Sequence, residues 1–177
     1  FSSPTSIGSN LVIFSAQLGK MALLVFGALY LQDRLGMSPL EAGLALLAAT
    51  APGWVASIVS GRLTDSIGPR TPMLWGVGAM AMALIALTAL VPQEEFAVLI
   101  PAMLVYGFAL PFFFVPPRTA ILNLVPEDSR GEAGGVMTTI QMLGSSLAIA
   151  VLGSVLLDSG SYGLVFGIAA GTTVAVW

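Results

Sequence analysis

The sequence contains no cysteine and no histidine among its 177 residues. The absence of cysteine excludes disulfide bonds and thiolate chemistry, and the absence of histidine excludes imidazole metal ligands and imidazole general bases. An intramembrane enzyme would need such residues or a cluster of carboxylates at depth, and none of the apolar segments carries one. We therefore predict that the chain is not an enzyme, and we expect neither a metal site nor a cofactor.

Charged residues are also scarce. They make up 8% of the chain, whereas hydrophobic residues make up 56%, and soluble domains carry about 25% charged residues. The net charge of −3 is spread over short polar segments and forms no basic patch, which argues against a nucleic-acid partner. Composition therefore predicts an integral membrane protein with membrane lipid as a partner.

Long apolar runs are abundant. A membrane-spanning helix needs about 20 predominantly apolar residues, and the runs lack the alternation expected of barrel strands. We predict an all-α bundle of six helices at residues 7–31, 39–60, 72–91, 96–124, 130–157 and 162–177. The first residue is not methionine and the sixth run is cut off at residue 177, so we expect an internal fragment of a longer protein.

The basic residues indicate the orientation of these helices. Short polar loops join the runs, so consecutive helices are expected to be antiparallel neighbours. One side of the predicted bundle collects Arg62, Arg70 and Arg130, with Arg118 nearby, whereas Arg34 alone lies on the other side. Because cytoplasmic loops carry an excess of Lys and Arg, we predict that the loop at residues 61–71 is cytoplasmic.

The second and fifth predicted helices begin with similar sequences. Ser38 and Ser129 each precede a helix, and a glutamate follows three residues later in both cases. This spacing is typical of a capping box. Because the two helices run in opposite directions, the similarity indicates two inverted three-helix repeats, a plan common among secondary transporters. A chance likeness between two frequent caps is the alternative.

A polar segment at residues 61–71 interrupts the apolar runs between the second and third helices. It contains a spaced set of glycines and charges: Gly61, Arg62, Leu63, Asp65, Gly68 and Arg70. This set resembles the signature loop of the major facilitator superfamily, which lies between helices 2 and 3 of each six-helix half on the cytoplasmic side. Members usually carry a basic residue where Ser66 stands, and often a second one where Thr71 stands. Ion pairs that lock this loop in place would therefore include fewer positive charges here.

Other segments resemble the drug–proton antiporter branch of that superfamily. They are Tyr30-Leu31-Gln32 with Leu35-Gly36-Met37-Ser38-Pro39, Val125-Pro126-Glu127 with Arg130-Gly131, and Gln141-x-x-Gly144 with Ala150-x-x-Gly153. In that branch these segments belong to the carboxy-terminal half. The resemblance implies residues 1–177 are the carboxy-terminal six-helix half of a twelve- or fourteen-helix transporter in a bacterial inner membrane, with the amino-terminal half absent.

The resemblance also implies a function. It implies alternating-access transport of a small molecule, in the form of proton-coupled efflux of drugs or other amphipathic compounds. No acidic residue lies at mid-depth in the predicted helices, so the proton-carrying carboxylate is expected in the missing half. A six-helix channel or scaffold acting as a dimer is the alternative.

A gate follows from the same resemblance. Asp65 would meet a helix N-terminus in the missing half, where a carboxylate is stabilised by about 0.3–1 kcal/mol. By the same resemblance, the matching aspartate of the missing half would dock on the start of the fifth helix. That helix start comprises Ser129, Arg130, Gly131 and Glu132. We expect these contacts to hold the cytoplasmic side closed.

Lys20 is the most unusual single residue, because a charge at the bilayer centre costs about 2.5–3.5 kcal/mol on insertion scales. Gln17 and Lys20 share a helix face, which we predict to line a polar central cavity. There Lys20 would attract an anionic substrate group or pair with a carboxylate of the missing half, the alternative being a structural pair with a neighbour. Further cavity candidates are Tyr106, Arg118 and Gln141; packing or lipid contact is the alternative for Tyr106, and snorkelling for Arg118. We assign Gly144 and Ser145 to helix packing.

Overall fold

Six helices joined by short loops form the protein. The computed structural model describes the backbone of residues 4–175 and the side chains of residues 8–175, and this part of the chain contains no strand. The helices are α1 (residues 4–33), α2 (Pro39–Ile67), α3 (Arg70–Leu90), α4 (Phe96–Leu122), α5 (Arg130–Ser159) and α6 (Tyr162–Ala175). Within these residues, α1 to α5 are long and apolar enough to span a membrane, and α6 is a shorter apolar helix. The predicted all-α membrane fold is confirmed.

α1 changes its geometry near the middle of its length. It consists of an α-helical segment Pro4–Met21, a π-helical segment Ala22–Gly27 and an α-helical segment Ala28–Asp33. π-helical turns are rare and occur frequently at functional sites. The π-helical segment begins two residues after Lys20, so it fixes the direction in which the following residues of α1 point relative to that lysine.

α2 is capped at its start and broken in its middle. The Ser38 hydroxyl accepts a hydrogen bond from the Glu41 N–H at 3.3 Å, and the Glu41 carboxylate accepts one from the Ser38 N–H at 2.8 Å. This is the capping box that the sequence predicts. The segments Pro39–Thr50 and Pro52–Ile67 meet at Ala51, because proline at position 52 lacks an N–H and clashes with the preceding turn.

The end of α2 differs from the prediction. The helix continues through Ile67, whereas the sequence analysis ends it at residue 60 and predicts a loop over residues 61–71. A single glycine within a helix costs only about 1 kcal/mol, so Gly61 does not stop it. The helix ends at Gly68, which has φ +81°, and Pro69 follows. The remaining predicted helix ends differ from the observed ones by at most three residues, and residues 176–177 lie outside the described part.

The start of α5 also differs from the prediction. α5 begins at Arg130 after a 3₁₀ turn over Glu127–Ser129. Ser129 has φ −101° and ψ 1° and makes no side-chain capping hydrogen bond. An N-cap serine needs the extended backbone that Ser38 has, with ψ 157°. The capping box predicted at Ser129 and Glu132 is therefore wrong, because the 3₁₀ turn holds the serine in a different conformation.

The helices pack in a pattern that repeats within the bundle. α2 packs against α4, and α5 packs against α1, whereas α3 and α6 pack against each other. Exchanging α1 with α4, α2 with α5 and α3 with α6 maps these contacts onto one another, as expected for inverted three-helix repeats. The apolar core lies among α1, α3, α4 and α6, with Leu84, Phe113 and Phe166 fully buried. α2 and α5 flank this core and expose most of their side chains.

Candidate functional site

A polar cavity of about 460 Å³ lies between α1 and α5 near the middle of the bundle. Its wall is formed by Gln17, Lys20, Thr138, Gln141, Met142, Ser145 and Ser146. Three of these were predicted from the sequence as cavity residues, namely Gln17, Lys20 and Gln141, and the structure brings them together. Thr138 was missed, although positions 138, 141 and 145 follow helical spacing on one face of α5 and so indicate a polar stripe.

Gln17 is buried, with 1% of its surface exposed. Its Oε1 accepts a hydrogen bond from the Ser145 hydroxyl at 2.9 Å, and its Nε2 has no partner among the described residues. A Cβ on Gly144 would lie 3.0 Å from Gln17 Cγ, so the glycine makes room for this side chain. A buried donor without a partner is costly, and this one lies just behind the part of the cavity wall that Gln17 forms. Ser145, assigned to packing from the sequence, serves to fix it.

Lys20 is partly exposed and lies deep within the bundle. It lies twelve residues after Gly8 and thirteen before Asp33 in the span Gly8–Asp33, which corresponds to about 18 and 20 Å at 1.5 Å per residue. Its Nζ lies 6.0 Å from the centroid of the Phe114 ring. Among the described side chains the ion pairs are Arg34–Glu94 and Arg130–Glu127. Lys20 therefore has no carboxylate partner within this part of the chain.

The other two cavity candidates lie elsewhere. Tyr106 is fully buried, and its hydroxyl donates to the Gly19 carbonyl oxygen at 3.0 Å. It joins α4 to α1 inside the core, so the prediction that it lines the cavity is wrong: packing surrounds its ring and a backbone carbonyl satisfies its hydroxyl. Arg118 is exposed four residues before the end of α4. It does not belong to the cavity wall.

The signature segment lies at one end of the bundle, which we name the basic end after Arg62, Arg70 and Arg130. Its first four members, Gly61, Arg62, Leu63 and Asp65, form the end of α2, whereas Gly68 lies in the turn and Arg70 begins α3. Arg62, Asp65 and Arg70 are exposed and form no ion pair within the described residues. A Cβ on Gly61 would meet open space. The segment thus presents unpaired charges on an open surface.

The start of α5 lies at the same end of the bundle. Arg130 pairs with Glu127 at 3.4 Å, and both side chains are exposed. Glu132 is exposed in the first turn, and a Cβ on Gly131 would meet open space. This helix start therefore presents its backbone N–H groups at an open surface, where an approaching carboxylate is favoured.

The opposite end of the bundle is closed by polar contacts between helix ends. The Tyr162 hydroxyl donates to Asp33 Oδ2 at 2.7 Å, and Arg34 Nη2 donates to the Gly160 carbonyl oxygen at 3.2 Å. The Tyr30 hydroxyl donates to the Val91 carbonyl oxygen at 2.8 Å. We name these three contacts the clasp. It ties the ends of α1, α3 and α5 to the start of α6, and no local sequence pattern predicts it because its residues lie far apart in the chain.

A second cavity lies near the clasp, between α2 and α4. It has a volume of about 650 Å³ and is lined mainly by apolar side chains, including Leu44, Phe96 and Met103. Glu41 is its single charged side chain, and both the hydroxyl and the N–H of Ser38 already donate to one of its oxygens at 2.8 Å. This cavity therefore differs in chemistry from the one between α1 and α5.

Comparison with known proteins identifies the bundle. A family model described as Major Facilitator Superfamily matches residues 10–177. The chain belongs to the major facilitator superfamily. This assignment agrees with the six-helix arrangement and with the resemblance of the α2–α3 segment to the signature loop of the superfamily.

Relatives within the superfamily include proteins named for resistance and export. The chain is 31% identical over 150 residues to the tetracenomycin C resistance and export protein of Streptomyces glaucescens, covering 85% of this chain and 28% of that protein. It is 32% identical over 155 residues to the puromycin resistance protein pur8 of Streptomyces alboniger, covering 84% and 30%. It is 30% identical over 151 residues to the multidrug resistance protein Stp of Mycobacterium tuberculosis, covering 85% and 27%. The chain thus matches less than a third of the length of each relative.

Proposed function

We propose that this chain is part of a secondary transporter that exports drugs or other small amphipathic compounds by alternating access, coupled to protons. The observation that carries the proposal is the polar cavity between α1 and α5, with Lys20 and an unpartnered Gln17 amide at mid-depth in an apolar bundle. Ionisable groups inside a membrane protein mark substrate or ion paths. The names of the relatives, which refer to resistance and export, support the same function.

We further propose that residues 1–177 are the carboxy-terminal half and that an amino-terminal half completes the transport path. The limited share of each relative that the chain matches supports this. So do the exposed apolar side chains of α2 and α5, among them Trp54 at 76% and Leu143 at 62% exposed. Such surfaces suit contact with lipid or with another bundle. Because the described helices hold no carboxylate at mid-depth, the group that carries the proton belongs in that other half.

The basic end faces the cytoplasm in this proposal, and the membrane is the bacterial plasma membrane. The excess of arginine at this end supports the orientation, and the bacterial origin of the relatives supports the membrane. At this end Asp65 and the start of α5 form the two sides of a gate. Both are exposed, as expected if each docks against that half.

An efflux experiment tests the transport function. Cells that express the full-length protein are loaded with tetracenomycin C or with puromycin, the compounds for which two relatives are named, and the loss of each compound is followed with and without an uncoupler of the proton gradient. We expect faster loss that stops when the gradient collapses. A channel would instead let the compound equilibrate whether or not the gradient is present, and that outcome, or an absence of loss, contradicts the proposal.

A substitution tests the gate. Asp65→Asn in the full-length protein removes the charge that would meet a helix N-terminus, an interaction of about 0.3–1 kcal/mol, so we expect efflux to fall about twofold to fivefold at an unchanged protein level. Asp158→Asn is the matched control, because Asp158 is also exposed but lies at the opposite end, near the C-terminus of α5. Equal transport by the two variants would rule out the gate.

A further inference from the structure

We propose that the polar cavity between α1 and α5 recognises an anionic group on an aromatic amphipathic compound, such as a carboxylate, sulfonate or phenolate. Lys20 supplies the counter-charge, and a small rotation of the Gln17 side chain brings its buried Nε2 to the anion as a hydrogen-bond donor. This inference rests on the proposed transport function for the entry of the compound into the cavity, and it adds the substrate class.

The cavity wall offers donors and positive charge. Lys20 carries three N–H donors and no acceptor, and Gln17 Nε2 has no partner within the described residues. None of the seven residues of the wall is acidic. Oxygen acceptors that carry negative charge satisfy both donors, whereas a cationic compound would be repelled by Lys20. Charge-assisted hydrogen bonds are about twice as strong as neutral ones, so an ionised acceptor is favoured over a neutral one.

The depth of Lys20 separates a bound compound from a lipid headgroup. The hydrocarbon core is about 30 Å thick, so its centre lies about 15 Å from either headgroup layer. Lys20 lies near the middle of the span Gly8–Asp33, and its side chain is partly enclosed by the cavity wall and Phe114. Acidic headgroups stay at the bilayer surface. A lipid headgroup is therefore not the anion that meets Lys20.

The surroundings of Lys20 indicate an aromatic or apolar body next to the anionic group. The Phe114 ring centroid lies 6.0 Å from Nζ, and Met142 forms part of the wall. Aromatic and thioether side chains pack against aromatic rings. The volume of about 460 Å³ falls in the range of small-molecule sites, which is roughly 300–1,000 Å³. An aromatic ring system with one acidic substituent fits this chemistry and this volume.

A matched pair of fluorescent probes tests the inference. Anilinonaphthalene sulfonate is an aromatic anion, and N-phenylnaphthylamine has the same rings without the sulfonate. Both are titrated into the full-length protein in phosphatidylcholine nanodiscs, and the signal of empty discs is subtracted. We expect Lys20→Met to weaken binding of the sulfonate by about tenfold, which is the size of a charge-assisted contact. Binding of the uncharged probe should change less than about twofold, because that probe makes no charge-assisted contact.

Two further variants and one control sharpen the test. Lys20→Arg keeps the charge and should retain most of the sulfonate binding. Gln17→Leu should weaken sulfonate binding by about threefold, since it removes one hydrogen bond. Gln32→Leu is the matched control, because the Gln32 amide donates to the Ala28 carbonyl oxygen of its own helix at 3.1 Å, outside the cavity. It should leave both probes unaffected.

The outcomes separate this inference from the transport proposal. Equal weakening of both probes in Lys20→Met, as expected if Lys20 pairs with a carboxylate of the protein, overturns the anion site. So does unchanged binding of both probes. Sulfonate binding that depends on Lys20, in a protein that shows no proton-dependent efflux, supports the anion site and refutes the transport function. Proton-dependent efflux by a protein that prefers the uncharged probe supports the transport function and refutes the anion site.

Discussion

The α2–α4 and α1–α5 crossings occupy equivalent places in the two three-helix repeats, but they are built from different groups. At the α2–α4 crossing backbones meet: a Cβ on Gly107 would overlap the Ala49 carbonyl oxygen, and one on Gly53 would lie 3.0 Å from the Gly107 carbonyl oxygen. At the α1–α5 crossing the contact is looser and includes a side chain: a Cβ on Gly144 would lie 3.0 Å from Gln17 Cγ and 3.2 Å from both Gln17 Cβ and the Phe14 carbonyl oxygen.

This difference shows how one packing plan supports two roles. Close approach of backbones, as at α2–α4, is favoured by small residues in membrane helices and excludes polar side chains. The α1–α5 crossing holds the buried Gln17 side chain beside Gly144, and the polar cavity opens next to it. We infer that the first crossing fixes the bundle and that the second provides the recognition chemistry.

The largest expected effect comes from adding one methyl group at the α2–α4 crossing. Gly107→Ala forces the methyl into the Ala49 carbonyl oxygen, and a backbone cannot move aside as a side chain can. We expect a loss of about 3 kcal/mol or more, at the upper end of overpacking effects. The measurement is the thermal unfolding temperature of the purified protein together with the yield of folded protein.

Two alanine variants serve as controls for that measurement. Gly144→Ala should cost about 1–2 kcal/mol, since Gln17 Cγ can shift but Gln17 Cβ and the Phe14 carbonyl oxygen, each 3.2 Å from the added methyl, can move less. Gly78→Ala should cost nothing because a Cβ there meets open space. If Gly144→Ala destabilises the protein as much as Gly107→Ala does, the contrast between the two crossings is wrong.

An intermediate effect is expected from the tyrosine that links the two repeats. Tyr106→Phe removes the hydrogen bond from α4 to the Gly19 carbonyl oxygen of α1. We expect a loss of about 1–1.5 kcal/mol in stability, with both naphthalene probes bound as before. A change in probe binding at unchanged stability would indicate that Tyr106 lines the cavity after all.

The smallest effect compares the two helix starts. Ser38→Ala removes a formed cap and should cost about 1 kcal/mol, whereas Ser129 makes no capping hydrogen bond and its replacement by alanine should cost almost nothing. The readout is again the unfolding temperature. Equal losses would show that both starts are capped alike, and the repeats would then be more similar than the structure indicates.

Local sequence patterns predicted much of this fold. Continuous apolar runs placed the helices, and helical spacing grouped Gln17 with Lys20. The capping pattern was right at Ser38 and wrong at Ser129, because the 3₁₀ turn before α5 depends on how the preceding loop crosses the bundle. Tyr106 was misplaced for a related reason. A tyrosine in an apolar helix has the same local pattern whether its hydroxyl meets a cavity or a buried carbonyl.

The π-helical segment Ala22–Gly27 was also absent from the sequence prediction. Its residues are ordinary apolar helix formers, and no residue in it lacks a backbone N–H. The geometry therefore comes from packing with neighbouring helices, which a single sequence does not display. The segment follows Lys20, and a π-helix does not have the roughly 3.6-residue period of an α-helix. The α-helical spacing of polar residues therefore identified the cavity face up to Lys20 but not beyond it.

The clasp has a consequence for the order of assembly during synthesis. Asp33 and Tyr162 are 129 residues apart in the chain, and Arg34 is 126 residues from Gly160. A ribosome releases Asp33 and Arg34 long before their partners, so four more helices must enter the membrane before these contacts form. The clasp therefore closes late in insertion. A nascent chain that stops before residue 160 would display Asp33 without its Tyr162 partner at that surface, where quality-control proteases could distinguish it from the finished bundle.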